Sequence, residues 1–165
     1  MDAEAREIAA DLLAREAMLL DRRDWDGWLA LYAEDCVFWV PAWREDDTPV
    51  EDPDREVSHI YHDSREGLEE RILRLRTQRS VTTMPLWRTA HLVTGVVARR
   101  DGTDRIVADA AFSVFLFHPR TGTQHALFGR SEVLLARRED TWRIARKKIL
   151  VMNDLIPTAV DFYCL

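Results

Sequence analysis

Two histidines and an aspartate stand close together at His59-x-x-His62-Asp63. Two imidazoles and one carboxylate are the ligand set of non-haem Fe(II) oxygenases. Residues three apart share a face on a helical turn, but they point to opposite faces if Val57 to Tyr61 is a strand. A metal site therefore requires a helical turn here, and loop or interface histidines are the default interpretation.

The chain has two cysteines, Cys36 and Cys164. Neither begins the Cys-x-His or Cys-x-x-His unit that a Rieske iron–sulfur cluster requires, so the sequence excludes that cluster, zinc ribbons and CxxC redox sites. It contains no glycine-rich phosphate loop and no GxSxG motif. Two cysteines make no disulfide framework, so we expect a cytoplasmic protein.

One carboxylate could serve acid–base chemistry. Asp109 stands among apolar residues, and Tyr32, His59 and His91 could line a pocket with it. The alternative is that Asp109 pairs with an arginine of a neighbouring strand, and we favour this alternative. The sequence thus assigns no catalytic, cofactor-binding or metal residue to this chain.

The elements that would position these residues begin with helices. An amphipathic first helix is predicted by apolar residues at helical spacing, with Ile8, Leu12 and Leu19 on one stripe and Ala5, Ala9, Leu13 and Leu20 beside it. Asp24 is the predicted cap of a short second helix that carries Trp25, Trp28, Leu29 and Tyr32 on its inner side. A short strand follows at 36–40, ended by Pro41.

The middle of the chain holds a loop and a third helix. Residues 44–56 contain seven acidic residues, two arginines and two prolines, a composition typical of a surface loop. Asp63 with Glu66 resembles a capping box at the start of the third helix. Its predicted apolar stripe is Leu68, Ile72 and Leu75.

After residue 79 the pattern is β to the end. Strands are predicted at 89–99, 105–117, 124–137 and 141–152, joined by short hairpin turns. Helices followed by a long meander indicate an α+β fold, with the N-terminal helices packed on one face of a strongly curved antiparallel sheet. The length of 165 residues predicts one domain spanning 1–165.

The strand predicted at 105–117 is apolar on both faces. One face carries Ala108, Ala110, Phe112, Val114 and Leu116, and the other carries Asp109, Ala111, Ser113, Phe115 and Phe117. A half-solvated strand alternates apolar and polar residues instead. Three short helices cover one face only. We therefore expect the second face to meet another protein chain, the alternative being coverage by long loops.

Net charge and hydropathy limit the classes of partner that this chain can bind. The net charge of −6 argues against nucleic-acid binding. The sequence contains no run of about 18 apolar residues, so it predicts no membrane span. The segment 143–148 concentrates basic residues, namely Arg143, Arg146, Lys147 and Lys148. It is a candidate for docking an acidic partner surface, or else an ordinary solvated strand face.

Several stretches together resemble the small (β) subunits of aromatic-ring-hydroxylating dioxygenases. In order they are Asp24-Trp25-Asp26-Gly27-Trp28-Leu29 leading to Leu31-Tyr32-Ala33-Glu34-Asp35-Cys36, Ser58-His59-Ile60-Tyr61-His62-Asp63 followed by Gly67-Leu68-Glu69-Glu70-Arg71, Pro85-x-x-Arg88-Thr89-Ala90-His91, and Trp142-Arg143-Ile144-Ala145-Arg146-Lys147-Lys148 with Asn153-Asp154. The tail, Asn153-Asp154-Leu155-Ile156-Pro157 through Asp161-Phe162-Tyr163, resembles the benzoate and anthranilate branch.

The resemblance implies a cone-shaped fold like that of nuclear transport factor 2, ketosteroid isomerase and scytalone dehydratase. It also implies an α3β3 hexamer with β subunits associated as a trimer. The α subunit would hold the Rieske cluster (2Fe–2S) and the mononuclear Fe(II), and a reductase or ferredoxin would supply electrons from NADH. This chain would then be structural, with no cofactor of its own, and Arg143, Arg146, Lys147, Phe162 and Tyr163 are its expected interface residues.

Two other functions remain as alternatives. One is a stand-alone isomerase, dehydratase or cyclase that uses the pocket of the cone. The other is a binding module for a small apolar ligand or a transport partner. Both need an open cone, so a cone plugged by Trp25, Trp28 or Trp39 would count against both.

Overall fold

The structure is a computed structural model that describes residues 2–77, 84–153, 156 and 160–165. Its elements in chain order are α1 (Ala3–Arg22), α2 (Trp25–Leu29), β1 (Tyr32–Pro41), β2 (Ser58–His62), α3 (Arg65–Arg76), β3 (Arg88–Arg100), β4 (Arg105–Phe117), β5 (Gln124–Arg138), β6 (Thr141–Val151) and a short 3₁₀ turn (Phe162–Cys164). Asp154, Leu155 and Pro157, which carry part of the resemblance in the tail, lie outside the described residues.

The six strands form one sheet in the order β2-β1-β6-β5-β4-β3. The hairpins from β3 to β6 are antiparallel as predicted, and Glu139 and Asp140 adopt positive φ values of 47° and 62° in the tight turn between β5 and β6. The prediction of an antiparallel sheet is wrong at one place, because β1 pairs with β6 in parallel. These strands are joined through α3 and four other strands, and local patterns carry no signal for such distant pairing.

Helix α1 packs on the sheet through a stripe of buried residues that is rotated around the helix axis from the predicted one. The buried residues are Ala5, Ala9, Leu12, Leu13, Glu16, Ala17 and Leu20. Ile8 and Leu19 are only half-buried, so the predicted stripe is correct in period and displaced around the axis. The buried Glu16 has no counterpart in the sequence prediction.

The N-terminal cap predicted for α2 is confirmed, whereas the one predicted for α3 is not. Asp24 caps α2 as predicted, because its carboxylate accepts a hydrogen bond from the backbone N–H of Gly27 at 3.0 Å. The prediction of Tyr32 on this helix is wrong, because β1 begins at Tyr32 and is longer than the strand predicted at 36–40. The predicted cap of α3 is wrong. Its N-cap is Ser64 in an extended conformation, and the helix begins one residue later than a cap at Asp63 would require. The predicted stripe of α3, which includes Leu68, is buried.

The acidic loop 44–56 is organised around one ion pair. Arg44 Nε lies 2.6 Å from Glu56 Oε1. Glu56 Oε2 also accepts the backbone N–H groups of Glu51 at 3.1 Å and Asp52 at 3.0 Å. Hydrogen bonds from Arg44 and from these amides lower the pKa of Glu56 to about 2.

The contacts of Glu56 in this loop should persist in acid until the pH falls to about 2. A carboxyl whose folded-state pKa lies below its ordinary value of 4.5 contributes stability above that value, and this contribution is lost as the pH falls through about 2. We expect the amide resonances of Glu51 and Asp52 to move with a midpoint near pH 2, and Glu56→Gln to abolish that transition. A midpoint at 4.5 in the NMR titration would show that the loop contacts do not form.

Candidate functional site

The space between the helices and the sheet is filled with aromatic rings. Trp28 is fully buried, stacks on Phe162 with centroids 4.6 Å apart, and lies 4.9 Å from the ring of Tyr32 and 6.3 Å from that of Phe38. Such packing leaves little room for a ligand. The cavity beside α1 has a free volume of about 20 Å³, far below that of a small-molecule pocket.

An ion pair is buried next to this aromatic core. Lys147 Nζ lies 2.6 Å from Glu16 Oε2, and the hydroxyl of Tyr32 donates to Glu16 Oε1. Glu16 is 2% exposed. Burial, and then the neighbouring Glu16 charge, hold the pKa of Tyr32 well above its ordinary value, so its phenol stays protonated.

A second polar pair joins the end of α1 to β3. His91 Nδ1 lies 2.6 Å from Asp21 Oδ1, and the backbone N–H of His91 donates to Asp21 Oδ2 at 3.0 Å. The hydroxyl of Thr89 donates to the same carboxylate at 2.8 Å. Burial lowers the pKa of His91 despite the nearby carboxylate, so the imidazole is neutral near pH 7.

The four pocket residues proposed from the sequence do not converge. Tyr32 and His91 face the interior, where both lie beside Glu16. His59 is exposed on β2. Asp109 is exposed as well, so the structure contradicts the interpretation of Asp109 as a buried carboxylate. Its neighbours Ala108 and Ala110 face the core, and strand alternation turns Asp109 to the opposite face of the sheet.

The histidines and cysteines of this chain do not fit an iron site. Ser58–His62 is a strand, so His59 and His62 point to opposite faces. Both cysteines are buried, and burial raises the pKa of Cys36 to about 11 and that of Cys164 to about 12, which disfavours the thiolates that bind metal. Among the described residues no three His, Cys, Asp or Glu side chains are grouped so that they could hold a metal ion.

The outer face of the sheet, which points away from the helices, carries an exposed apolar patch. We call it the outer patch, and it consists of Leu92, Phe115 and Phe128, which are 50%, 53% and 50% exposed. Leu92 and Phe128 flank Ser113 in one row across β3, β4 and β5, while Phe115 lies in the next row between Ala90 and Ala126. The second face of β4 is therefore apolar and uncovered within this chain.

Loops do cover the outer face at its other side. Leu150 of β6 is buried although it faces outward, and Trp43 of the segment after β1 donates to the carbonyl of the adjacent Val151 at 2.7 Å. Trp39 is buried on the same face under Lys148, whose Nζ lies 5.0 Å from the ring centroid. Loops therefore cover one part of the outer face, whereas the outer patch is uncovered within this chain.

Strand alternation divides the basic segment. Arg146 is exposed on the outer face, whereas Lys147 faces inward to Glu16, so the prediction of Lys147 as an interface residue is wrong. Arg143 is half-buried and donates to the carbonyl of Ala30.

The two aromatic residues of the tail are also buried. Phe162 and Tyr163 are 1% and 4% exposed, and both rings pack against Trp25. Their assignment to an interface is wrong, because they close the aromatic core of this chain and leave no surface for a partner. The described tail therefore acts within the chain.

Residues 15–158 match the model of the ring hydroxylating beta subunit family. The chain belongs to this family. The 2-halobenzoate 1,2-dioxygenase small subunit of Burkholderia cepacia is 40% identical over 149 residues, covering 90% of this chain and 89% of that one. The anthranilate 1,2-dioxygenase small subunit of Acinetobacter baylyi is 34% identical over 165 residues and 99% of each chain.

Solved structures place this ring hydroxylating beta subunit in the expected fold. The beta subunit of benzoate 1,2-dioxygenase from Burkholderia mallei superposes with a TM-score of 0.77 at 30% identity over 95% of each chain. A scytalone dehydratase-type protein of Novosphingobium aromaticivorans shares the fold at a TM-score of 0.70 and 11% identity, over 94% of this chain and 90% of that one. The predicted cone fold and the resemblance to the benzoate and anthranilate branch are both confirmed.

The helices of this beta subunit give no sign of a membrane span. Across the described residues, none combines the length and the apolar character that crossing a bilayer requires.

Proposed function

We propose that this chain is the structural β subunit of a Rieske non-haem iron aromatic-ring-hydroxylating dioxygenase. It assembles with a catalytic α subunit in a cytoplasmic α3β3 hexamer, in which the β subunits form a trimer and each chain is one domain over residues 1–165. The α subunit carries the Rieske cluster (2Fe–2S) and the mononuclear Fe(II), and a reductase or ferredoxin supplies electrons from NADH. The complex inserts both atoms of O2 into an aromatic acid of the benzoate or anthranilate type.

One contrast within the molecule carries this proposal. The interior, where a small substrate would bind, is filled around Trp28, and the cavity beside α1 has a free volume of only about 20 Å³. The outer patch, where another protein would bind, is open. Isolated chains rarely expose contiguous apolar surface, and such surface marks protein–protein contact. The relatives named as small subunits of dioxygenases support the same role.

The filled interior also weighs against the two alternatives. Trp28 plugs the cone, which a stand-alone isomerase, dehydratase or cyclase would need open, and which a module for small apolar ligands would need as its pocket. The residues suggested for acid–base work are dispersed, with Asp109 and His59 exposed on the sheet.

Turnover per α-subunit iron tests the structural role. Asp109→Asn and Tyr32→Phe should change kcat by less than about threefold in complexes that assemble normally, because neither side chain touches substrate. A loss of several orders of magnitude with assembly intact would assign chemistry to this chain and overturn the proposal. Iron content is measured in parallel, so that turnover is compared at equal metal loading.

A charge test addresses the exposed part of the basic segment. Arg146→Glu should lower the yield of the α–β complex in a salt-dependent manner and leave the far-ultraviolet circular dichroism of the chain unchanged, because rim charges act mainly on association. Arg120→Glu makes the same charge change in the exposed turn between β4 and β5 and is the matched control. Equal yields for the two variants would show that Arg146 is an ordinary solvated residue.

A further inference from the structure

The small cavity beside α1 is lined by polar groups. His91, Glu16, Ser131 and Lys147 line it together with apolar side chains such as Val93. Its free volume of about 20 Å³ is enough for one water molecule and too small for an organic ligand. Four polar residues around a space of this size call for an occupant that can form hydrogen bonds.

His91 presents an unused acceptor to this cavity. Its side chain is 5% exposed, and Nε2 is buried without a hydrogen-bond partner in the described part of the chain. Nδ1 is held by Asp21, which does not line the cavity, so Nε2 is the nitrogen on the cavity side. The Asp21 carboxylate only accepts hydrogen bonds, so Nδ1 carries the proton of the neutral ring and Nε2 offers a lone pair.

Lys147 supplies the complementary donor. Its ammonium group carries three N–H bonds, and its carboxylate partner in the described residues is Glu16, at 2.6 Å. It lines the same cavity as His91, and its positive charge contributes to the lowered pKa of that imidazole. The cavity therefore offers an acceptor at His91 and a donor at Lys147.

We propose that this cavity binds one ordered water molecule, which donates a hydrogen bond to His91 Nε2 and accepts one from Lys147 Nζ. A cation does not fit, because it would meet the ammonium group of Lys147. An anion does not fit, because it would meet the lone pair of His91. A neutral molecule of water size both donates and accepts, and it fills the volume.

The water joins two separate polar pairs into one network beneath α1. Glu16 and Asp21 both belong to α1, Lys147 belongs to β6, and His91 belongs to β3. With the water in place, hydrogen bonds run from Tyr32 through Glu16 and Lys147 to His91 and Asp21. The cavity thus fastens the helix to two strands that are not neighbours in the sheet.

A larger apolar side chain in the cavity distinguishes a cavity that holds a water molecule from an empty one. Val93→Ile adds one methylene at a lining position of β3 and keeps the β-branched side chain that strands favour. It should displace the water, leave His91 Nε2 without a partner and lower Tm. Val96→Ile adds the same group on the same strand, against the core and away from the cavity, and is the matched control.

The measurements are a high-resolution crystal structure of the full chain in the assembly in which it purifies, oxygen-17 relaxation dispersion of the same preparation, and thermal unfolding of both variants. We expect density for one water between His91 and Lys147, one long-lived water per chain that Val93→Ile removes, and a lower Tm for Val93→Ile than for Val96→Ile. A cavity without density, or a Tm for Val93→Ile equal to or above that of the unaltered chain, would overturn the proposal.

Discussion

Replacing Lys147 with methionine is expected to lower the free energy of unfolding by about 3–5 kcal/mol, because it leaves the carboxylate of Glu16 buried without its cation. Glu16 and Lys147 are 2% and 8% exposed, so water cannot take over the lost contact without opening the structure. Methionine retains the length and apolar stem of lysine, which keeps the packing change small. Urea unfolding followed by tryptophan fluorescence measures the effect.

Two further variants identify its cause. Arg146→Met makes the same kind of substitution at the exposed neighbouring position and should cost less than about 0.5 kcal/mol. Combining Lys147→Met with Glu16→Gln removes both charges and should recover most of the loss, since a buried pair costs more to break than to replace. If Lys147→Met were as stable as Arg146→Met, the buried ion pair described here would be wrong.

Placing charge in the outer patch should have the largest effect on assembly. With Phe115 and Phe128 both replaced by lysine, we expect the dissociation constant of the complex with the α subunit to rise by about 700-fold, because apolar side chains at the centre of an interface each contribute about 2 kcal/mol. Both side chains are half-exposed in the single chain, so folding should be retained. Analytical ultracentrifugation measures the assembly.

The control for this variant is Leu73→Lys. Leu73 is 61% exposed on α3, away from the sheet, so it makes the same apolar-to-charged change on a different surface. We expect it to assemble like the unaltered chain. Assembly that survives the double lysine variant and fails with Leu73→Lys would move the interface from the sheet to the helix.

Local patterns in the sequence were sufficient for most of the fold. Helical spacing predicted α1, the carboxylate of Asp24 predicted the cap of α2, and strand alternation predicted the four strands from β3 to β6 within about two residues of their ends. These features depend on residues that are near one another along the chain. The uncovered face of β4 was also visible, because both of its faces are apolar in the sequence.

The errors arise where the outcome depends on distant residues. Lys147 is 131 positions from Glu16, and no local pattern shows that one basic residue of a cluster has a buried partner. Phe162 and Tyr163 near the end of the chain pack on Trp25 near its beginning. Alternation along the strand could have placed Asp109 outward, since Ala108 and Ala110 beside it fit the core face.

The His91–Asp21 pair was only half visible from the sequence. His91 was a candidate pocket residue, but its partner lies 70 positions away on α1, where an aspartate near the end of an amphipathic helix resembles any solvated residue. Asp21 can pair with His91 only because its side of α1 faces β3. That side became identifiable only with the buried stripe of α1, which is rotated from the predicted one.

Co-expression with the α subunit, followed by size-exclusion chromatography with light scattering, measures whether this chain forms a stable complex with that subunit. If this chain works through the surfaces it offers to other chains, the two polypeptides will co-elute in equal numbers, with the mass expected for three copies of each. Separate elution of the two chains at micromolar concentration would show that this chain is not a subunit of such a complex.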